Sequence, residues 1–269
     1  NIDGAKVKYR VVRTARFPYW NYWWRGGYPS SPSMEIINGT TLTNEKGELE
    51  IKFNATPDKN IPRKFLPVFN YSVSVDVTDI NGETRSSQKT ISAGYTALYL
   101  NVQMPEKIQK IEKNSFNIIT VNHNGEKEPA KGTITIYKLK QPEKTFRQRL
   151  WTIPDKYVLS RDEFYKLFPL DLYDDEDNKY KWEKEEQLLT IDFDTQKDSI
   201  LDATVFKNWN DGQYLLEIKA KDAFGETVEN KHYFCLYSPK SKTIPEQTVN
   251  WFTILNNKGE PGEKASFII

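Results

Sequence analysis

The sequence predicts an all-β protein built as tandem antiparallel β-sandwiches, and three observations predict it. One stretch occurs twice: Tyr71 to Thr84 and Tyr214 to Thr227 keep the same spacing from Tyr to Asp79 or Asp222 and on to Gly-Glu-Thr. Each copy is an alternating strand, a Gly-containing turn and a second strand. The Gly supplies the positive φ of a tight turn, and the Asp before it can bond the turn backbone. The second observation is a series of short alternating apolar runs divided by Gly, Asn and Asp turns, the pattern of sandwich strands. The third is the scarcity of helix signals, with one short candidate in the whole chain.

In order, residues 4–13 alternate and read as a strand. An aromatic loop follows, Phe17 to Tyr28, closing on Gly26-Gly27 and Pro29. Met34 to Asn38 and Gly39 to Thr43 read as two short extended pieces. Asn44 to Gly47 is a turn, and Glu48 to Asn54 is a strand with Leu49, Ile51 and Phe53 on one face. The first hairpin occupies 68–93. Tyr95 to Met104 and Ser115 to Val121 are strands, the second closed by Asn122-His-Asn-Gly125. Gly132 to Tyr137 matches the strand near Lys6. The second unit is longer than the first between this strand and its hairpin, and the excess falls in Gln141 to Glu186. That insertion holds the helix signal: Ser160-Arg-Asp-Glu163 fits a capping box, Phe164, Leu167 and Phe168 share a face, and Pro169 stops it. The helix is expected to lie as a lid on the sandwich. Leu188 to Phe193 and Asp198 to Phe206 are strands before the second hairpin. Residues 238–245 read as a linker, Thr248 to Leu255 as a strand, Asn256 to Glu263 as a double turn and Ala265 to Ile269 as a strand.

These readings divide the chain into 1–94, a sandwich without its opening strands; 95–240, a complete sandwich with insertion 141–186; and 241–269, a linker with the first strands of a third domain. The tail parallels the stretch from Tyr95 to Val121.

Lys and Arg together number 38 and Asp and Glu 37, a net charge of +1. That balance gives no basis for a nucleic acid or an anionic membrane as partner. The mean hydropathy is −0.70, and no apolar run approaches the roughly 18 residues of a membrane span. Cys235 stands alone, so no disulfide framework exists within the chain, and it reads as a small buried hydrophobe.

The serial hairpins resemble the macroglobulin-like domains of bacterial α2-macroglobulins. The resemblance is carried by Val7 to Arg13, by Gly47 to Phe53, by Val77 to Thr84 and by Gly132 to Leu139. Trp151, Phe164 to Pro169 and Pro261 to Ala265 add to it, and it points to the large Bacteroidetes-type members. It implies immunoglobulin-like sandwiches, a scaffold rather than an enzyme, and a whole protein that traps proteases at the bacterial cell envelope, in the periplasm or anchored to the outer membrane. Proteases and neighbouring macroglobulin domains would be its partners, and no cofactor is implied. Many members capture the protease by a thioester between a Cys and a Gln three residues on. Here that position after Cys235 is Ser238, so no thioester is expected in this chain, and no functional residue of the family maps onto it.

The residues themselves offer one candidate site. Tyr19, Trp20, Tyr22, Trp23 and Trp24 could hold a partner protein, stack on sugars, or pack against the sandwich or a neighbouring domain. Sugar stacking would make the chain a surface carbohydrate-binding or adhesin-like protein, the alternative reading. Asp171, Asp174, Asp175, Glu176 and Asp177 supply calcium-type oxygens, but no Gly sits where an EF-hand needs it, and a solvated acidic loop is expected. A carboxylate pair for glycoside hydrolysis has least support. His123 and His232 are far apart in sequence, which argues against metal ligation or a triad. Asp79 and Asp222 are expected to serve their turns. No catalytic, metal or cofactor residue is assigned. An unpaired edge in the first unit invites strand exchange with the tail of a second molecule.

Overall fold

The computed structural model describes residues 3–17, 31–111, 114–256 and 260–269. It is all-β with several antiparallel sheets and one α-helix. The chain divides into two compact units: residues 1–99 with 120–128 and 221–228, and the remainder.

In the first unit, β1 (Lys6–Arg16) pairs with β2 (Met34–Leu42) on one side and β3 (Val68–Thr78) on the other, and β4 (Thr84–Gly94) pairs with β3. All pairs are antiparallel, in the order β2-β1-β3-β4. Alternation decides which face is buried: Val7 and Val11 are inaccessible to solvent while Lys6, Lys8 and Arg10 face it. Val11, Phe69 and Tyr71 gather with Ile61 from the segment that faces the sheet. β2 is one strand, not the two pieces expected at Gly39. Tyr9 lies opposite Gly39 in the ladder, and a Cβ there would sit 2.5 Å from the Tyr9 hydroxyl. The ring covers the gap that glycine leaves, so the strand continues. Arg13 points inward, where it meets Asp58 at 3.3 Å and Phe69 at 5.8 Å.

Residues 48–54 form no ladder among the described residues, where a strand was expected. The alternation is present, with Leu49, Ile51 and Phe53 half-buried. A strand also needs a partner backbone, and 48–54 is hydrogen-bonded into none of the sheets that the described residues form.

In the second unit, β8 (Lys131–Leu139) pairs with β9 (Lys184–Asp194) and β11 (Gly212–Lys221), and β12 (Thr227–Tyr237) follows β11. The order β9-β8-β11-β12 repeats β2-β1-β3-β4, strand for strand. β6 (Lys107–Gln109), unforeseen, adds to β12 in parallel. The facing sheet is β10 (Ile200–Asp202), β7 (Ser115–Val121) and β5 (Tyr99–Gln103) in that order. β13 (Thr253–Ile254) and β14 (Phe267–Ile268) form a small separate hairpin. The strand expected over 198–206 ends at Asp202 and gives way to a 3-10 turn, Thr204–Asn208. That turn drives Phe206 into the core, where it stacks on Phe234 and lies against Trp209 and Phe116.

The paired hairpin belongs to a larger set. Asn44, Asp79, Asn122 and Asp222 each precede a Gly by three residues and a Glu by four. In each turn the side-chain oxygen accepts the N–H groups two and four residues on, at 2.9–3.1 Å. The glycines sit at φ of 72°, 86°, 87° and 85°. Asn can replace Asp because the turn needs only one acceptor oxygen and tolerance of a tight backbone.

Two of these turns close on residues 92–97 within the first unit. Asn124 accepts from the Ser92 N–H at 2.8 Å, and Asp222 accepts from the Ala97 N–H at 2.8 Å. The His123 ring bonds the Thr96 carbonyl at 2.6 Å, and Glu226 pairs with Arg63 at 2.6 Å. Burial lowers the His123 pKa from its ordinary 6.5, against the pull of the Thr96 carbonyl. His232, half-buried, is lowered by desolvation as well. A fold that prefers neutral imidazole is fully stabilised above pH 6.5 and loses that contribution as pH falls from 6.5 toward the lowered folded value. Melting temperatures followed from pH 7.5 to 5.5 are therefore expected to fall. The slope should lessen in His123→Gln and lessen further with His232→Gln added. An equal slope in all three proteins would remove the histidines as its cause.

Candidate interaction surface on the helical insertion

Tyr19, Trp20, Tyr22, Trp23 and Trp24 lie outside the described residues. Their place in the chain is nonetheless informative. Residues 17–33 connect β1 to β2, and residues 140–183 connect β8 to β9, the equivalent pair of the second unit. In both units, then, the sequence that joins these two equivalent strands is rich in aromatic residues.

The second excursion is a small folded body. Its α1 (Arg161–Leu167) begins as the sequence specifies: the Ser160 hydroxyl accepts from Glu163 N–H, and the Glu163 carboxylate returns to Ser160 N–H at 2.9 Å. The helix, expected as a lid, buries no residue completely. Its rings pack within the insertion instead. Phe164 meets Phe168 and Tyr173, each at 5.3 Å, Tyr165 meets Phe146 at 6.1 Å, and Tyr157 stacks on Tyr173 at 4.5 Å. Seven helical residues cannot form a core alone, and these rings supply one.

Most of the acidic run is tied down rather than solvated, with Asp177 left exposed. Arg149 donates to the Leu172 and Asp174 carbonyls at 3.0 and 2.7 Å. Glu176 accepts from Tyr165 at 2.7 Å and pairs with Arg161 at 3.0 Å, and Lys181 pairs with Asp175. Burial, with the bond to Glu176, pushes the Tyr165 hydroxyl up to about 12. Asp177 stays exposed as a residue, and partial desolvation of its carboxyl raises that group from its ordinary value. Oxygens committed to guanidinium and ammonium partners do not converge on a cation. Among the described residues no group of three or more His, Cys, Asp or Glu stands close enough to hold a metal.

Beside α1 lies an open cleft of about 620 Å³ whose walls include Lys144, Phe146, Tyr165 and Trp182. The Lys144 ammonium already occupies the Tyr165 face at 4.0 Å. The outer surface is more distinctive. Leu150, Trp151 and Val158 are 86, 59 and 95 % exposed, and Leu167, Phe168 and Leu170 are also exposed. These six exposed large apolar side chains within residues 150–170 are unusual in a chain this polar and make this stretch the candidate for contact with a partner. The acidic residues stand out in the sequence, whereas these exposed apolar residues do not. Unburied Leu and Trp in an irregular stretch were the available signal, but periodicity, which finds cores, is blind to them.

The other candidates are structural. Asp79 and Asp222 hold their turns. Cys235 is buried, and burial pushes its thiol up to about 12, so it is a poor nucleophile.

No protein-family model matches the chain, and no curated protein matches it. Among solved structures it is similar to the native conformation of alpha-2-macroglobulin from E. coli, determined by single-particle cryo-EM, at 8 % identity and a TM-score of 0.29. The match takes in 98 % of this chain but only 16 % of that one. A likeness this slight does not establish a family.

Proposed function

We propose that the chain is a non-catalytic scaffold segment of a bacterial α2-macroglobulin-like endopeptidase inhibitor that traps proteases at the cell envelope. The observation that carries this reading is the repeat: two sheets with the same order of four strands and hairpins with the same Asp-x-x-Gly-Glu-Thr turn, in a sequence whose motifs resemble macroglobulin domains. Serial sandwiches of one design suit a wall of domains around a large guest, since each unit needs only to meet its neighbours. The apolar surface from Leu150 to Leu170 suits packing against such a neighbour. The alternative, carbohydrate or adhesin-like binding through residues 17–28, draws on side chains outside the described residues, and no structural observation favours it.

The test uses the whole protein that carries this chain. After incubation with an endopeptidase, hydrolysis of a small chromogenic peptide should persist while digestion of a large protein substrate falls severalfold. Unchanged access to the large substrate would sink the proposal.

A further inference from the structure

We infer that residues 245–252 are a strap that opens as a unit from the outer face of β12, and that the helical insertion holds it shut. This is independent of the protease reading. Phe234 stacks inside the sandwich on Phe206 and Tyr214, and successive side chains of a strand point to opposite faces. Cys235 and Tyr237 therefore point outward, yet they are only 2 and 5 % exposed. The strap covers them. Trp251, itself buried, meets Tyr237 edge-on at 5.2 Å. Burial does most to raise the Cys235 thiol, the Glu246 carboxylate adds to it and the Trp251 indole opposes it, which places both strap residues beside the sulfur.

The strap belongs to no ladder among the described residues, and side chains fasten it. Toward β13 the Lys107 ammonium lies over the Trp251 ring at 5.2 Å and donates to the Phe252 carbonyl at 2.5 Å. At the other end the Gln141 amide grips the backbone twice: Nε2 donates to the Pro245 carbonyl at 3.0 Å, and Oε1 accepts from the Gln247 N–H at 3.3 Å. The Thr145 hydroxyl donates to Gln247 Oε1 at 2.9 Å. Gly212 leaves room for the amide, since a Cβ there would sit 3.0 Å from Gln141 Nε2. A segment held this way opens at a lower free energy than the sheet beneath it. Gln141 and Thr145 belong to the insertion, and the same stretch is tied to α1: the Lys144 ammonium lies over the Tyr165 ring at 4.0 Å, and Phe146 meets that ring at 6.1 Å. Displacing α1 therefore loosens the strap, and with it the chain that runs on into β13.

Cys235 is the one cysteine of the sequence, so its labelling by a water-soluble thiol reagent reads strap opening in the intact 269-residue chain. The wild-type rate should change little with urea below the unfolding transition, because opening the strap exposes little surface. The double variant Gln141→Ala/Thr145→Ala loses three hydrogen bonds and should label roughly tenfold faster, given the modest net value of each bond. Tyr165→Ala, a change in α1 rather than in the strap, should also speed labelling severalfold. Leu201→Ala, which opens a hole in the core at β10, should lower the urea midpoint and leave the labelling rate in water as it was. A wild-type rate that climbs with urea in step with unfolding would overturn the inference. So would an unaltered rate in the double variant or in Tyr165→Ala, or a Leu201→Ala rate as fast as that of the double variant.

Discussion

Phe206→Ala is expected to lower the stability of the second unit by about 3–5 kcal/mol, the range for emptying an aromatic site in a packed core. Phe206 has no solvent exposure and contacts rings from three directions: Phe234 at 5.5 Å, Trp209 at 4.7 Å and Phe116 at 6.3 Å. Phe116 comes from one sheet and Phe234 from the other, so this side chain joins the two layers. A hole there cannot be filled by local collapse, because β7 and β12 are each fixed by their own ladders. Phe206→Leu should cost far less, since most of the volume stays. Urea unfolding of the three proteins checks this. An alanine variant within about 1 kcal/mol of wild type would mean that the 3-10 turn does not anchor the core.

Asp222→Ala is expected to cost about 3 kcal/mol, against about 1 kcal/mol for Asp79→Ala, although the two turns share one sequence pattern. Both carboxylates accept two N–H groups of their own turn. Asp222 is also buried and accepts the Ala97 N–H. Its removal leaves the half-buried Ala97 N–H without its partner, the costly case. Burial opposes the charge of Asp222, but the N–H groups of Ala97, Glu226 and Phe224 outweigh it and hold the carboxyl below 3.8. That contribution is present above pH 3.8 and fades as pH falls through the folded value. Asp222→Asn should lose about half as much as alanine, because Asn44 and Asn122 show that an amide oxygen serves the turn, while the Ala97 bond is forfeited. Equal losses in Asp79→Ala and Asp222→Ala by equilibrium denaturation would mean that burial contributes nothing here.

Local chemistry was legible in the sequence. The strands of both hairpins, β7, the capping box of α1 and the turn glycines were all written in spacings of a few residues. Two kinds of feature were not. Whether 48–54 becomes a strand depends on a partner backbone, which alternation in Leu49, Ile51 and Phe53 does not report. β6 is three residues of no particular pattern, and only its position beside Cys235 to Tyr237 makes it a strand. Around the insertion the acidic residues drew attention because charge runs are visible, whereas their cationic partners Arg149, Arg161 and Lys181 are scattered in sequence. The common turn of Asn44, Asp79, Asn122 and Asp222 was half-read: the Asp pair was noticed, and the Asn members, which do the same work with one oxygen, were not joined to it.

β6 has a mechanical consequence. It runs in the same direction as β12, bonded through Cys235 N–H to the Glu106 carbonyl at 2.7 Å and Lys110 N–H to the Tyr237 carbonyl at 2.9 Å. Pull on the chain from both sides of this unit, and once β5 has slipped the load reaches two parallel strands being drawn in opposite directions. Their bonds are then strained together, in shear, instead of being unzipped one after another as in a hairpin tugged at its open end. Three residues without a sequence signature thus become a clasp that resists extension along the line of the polypeptide.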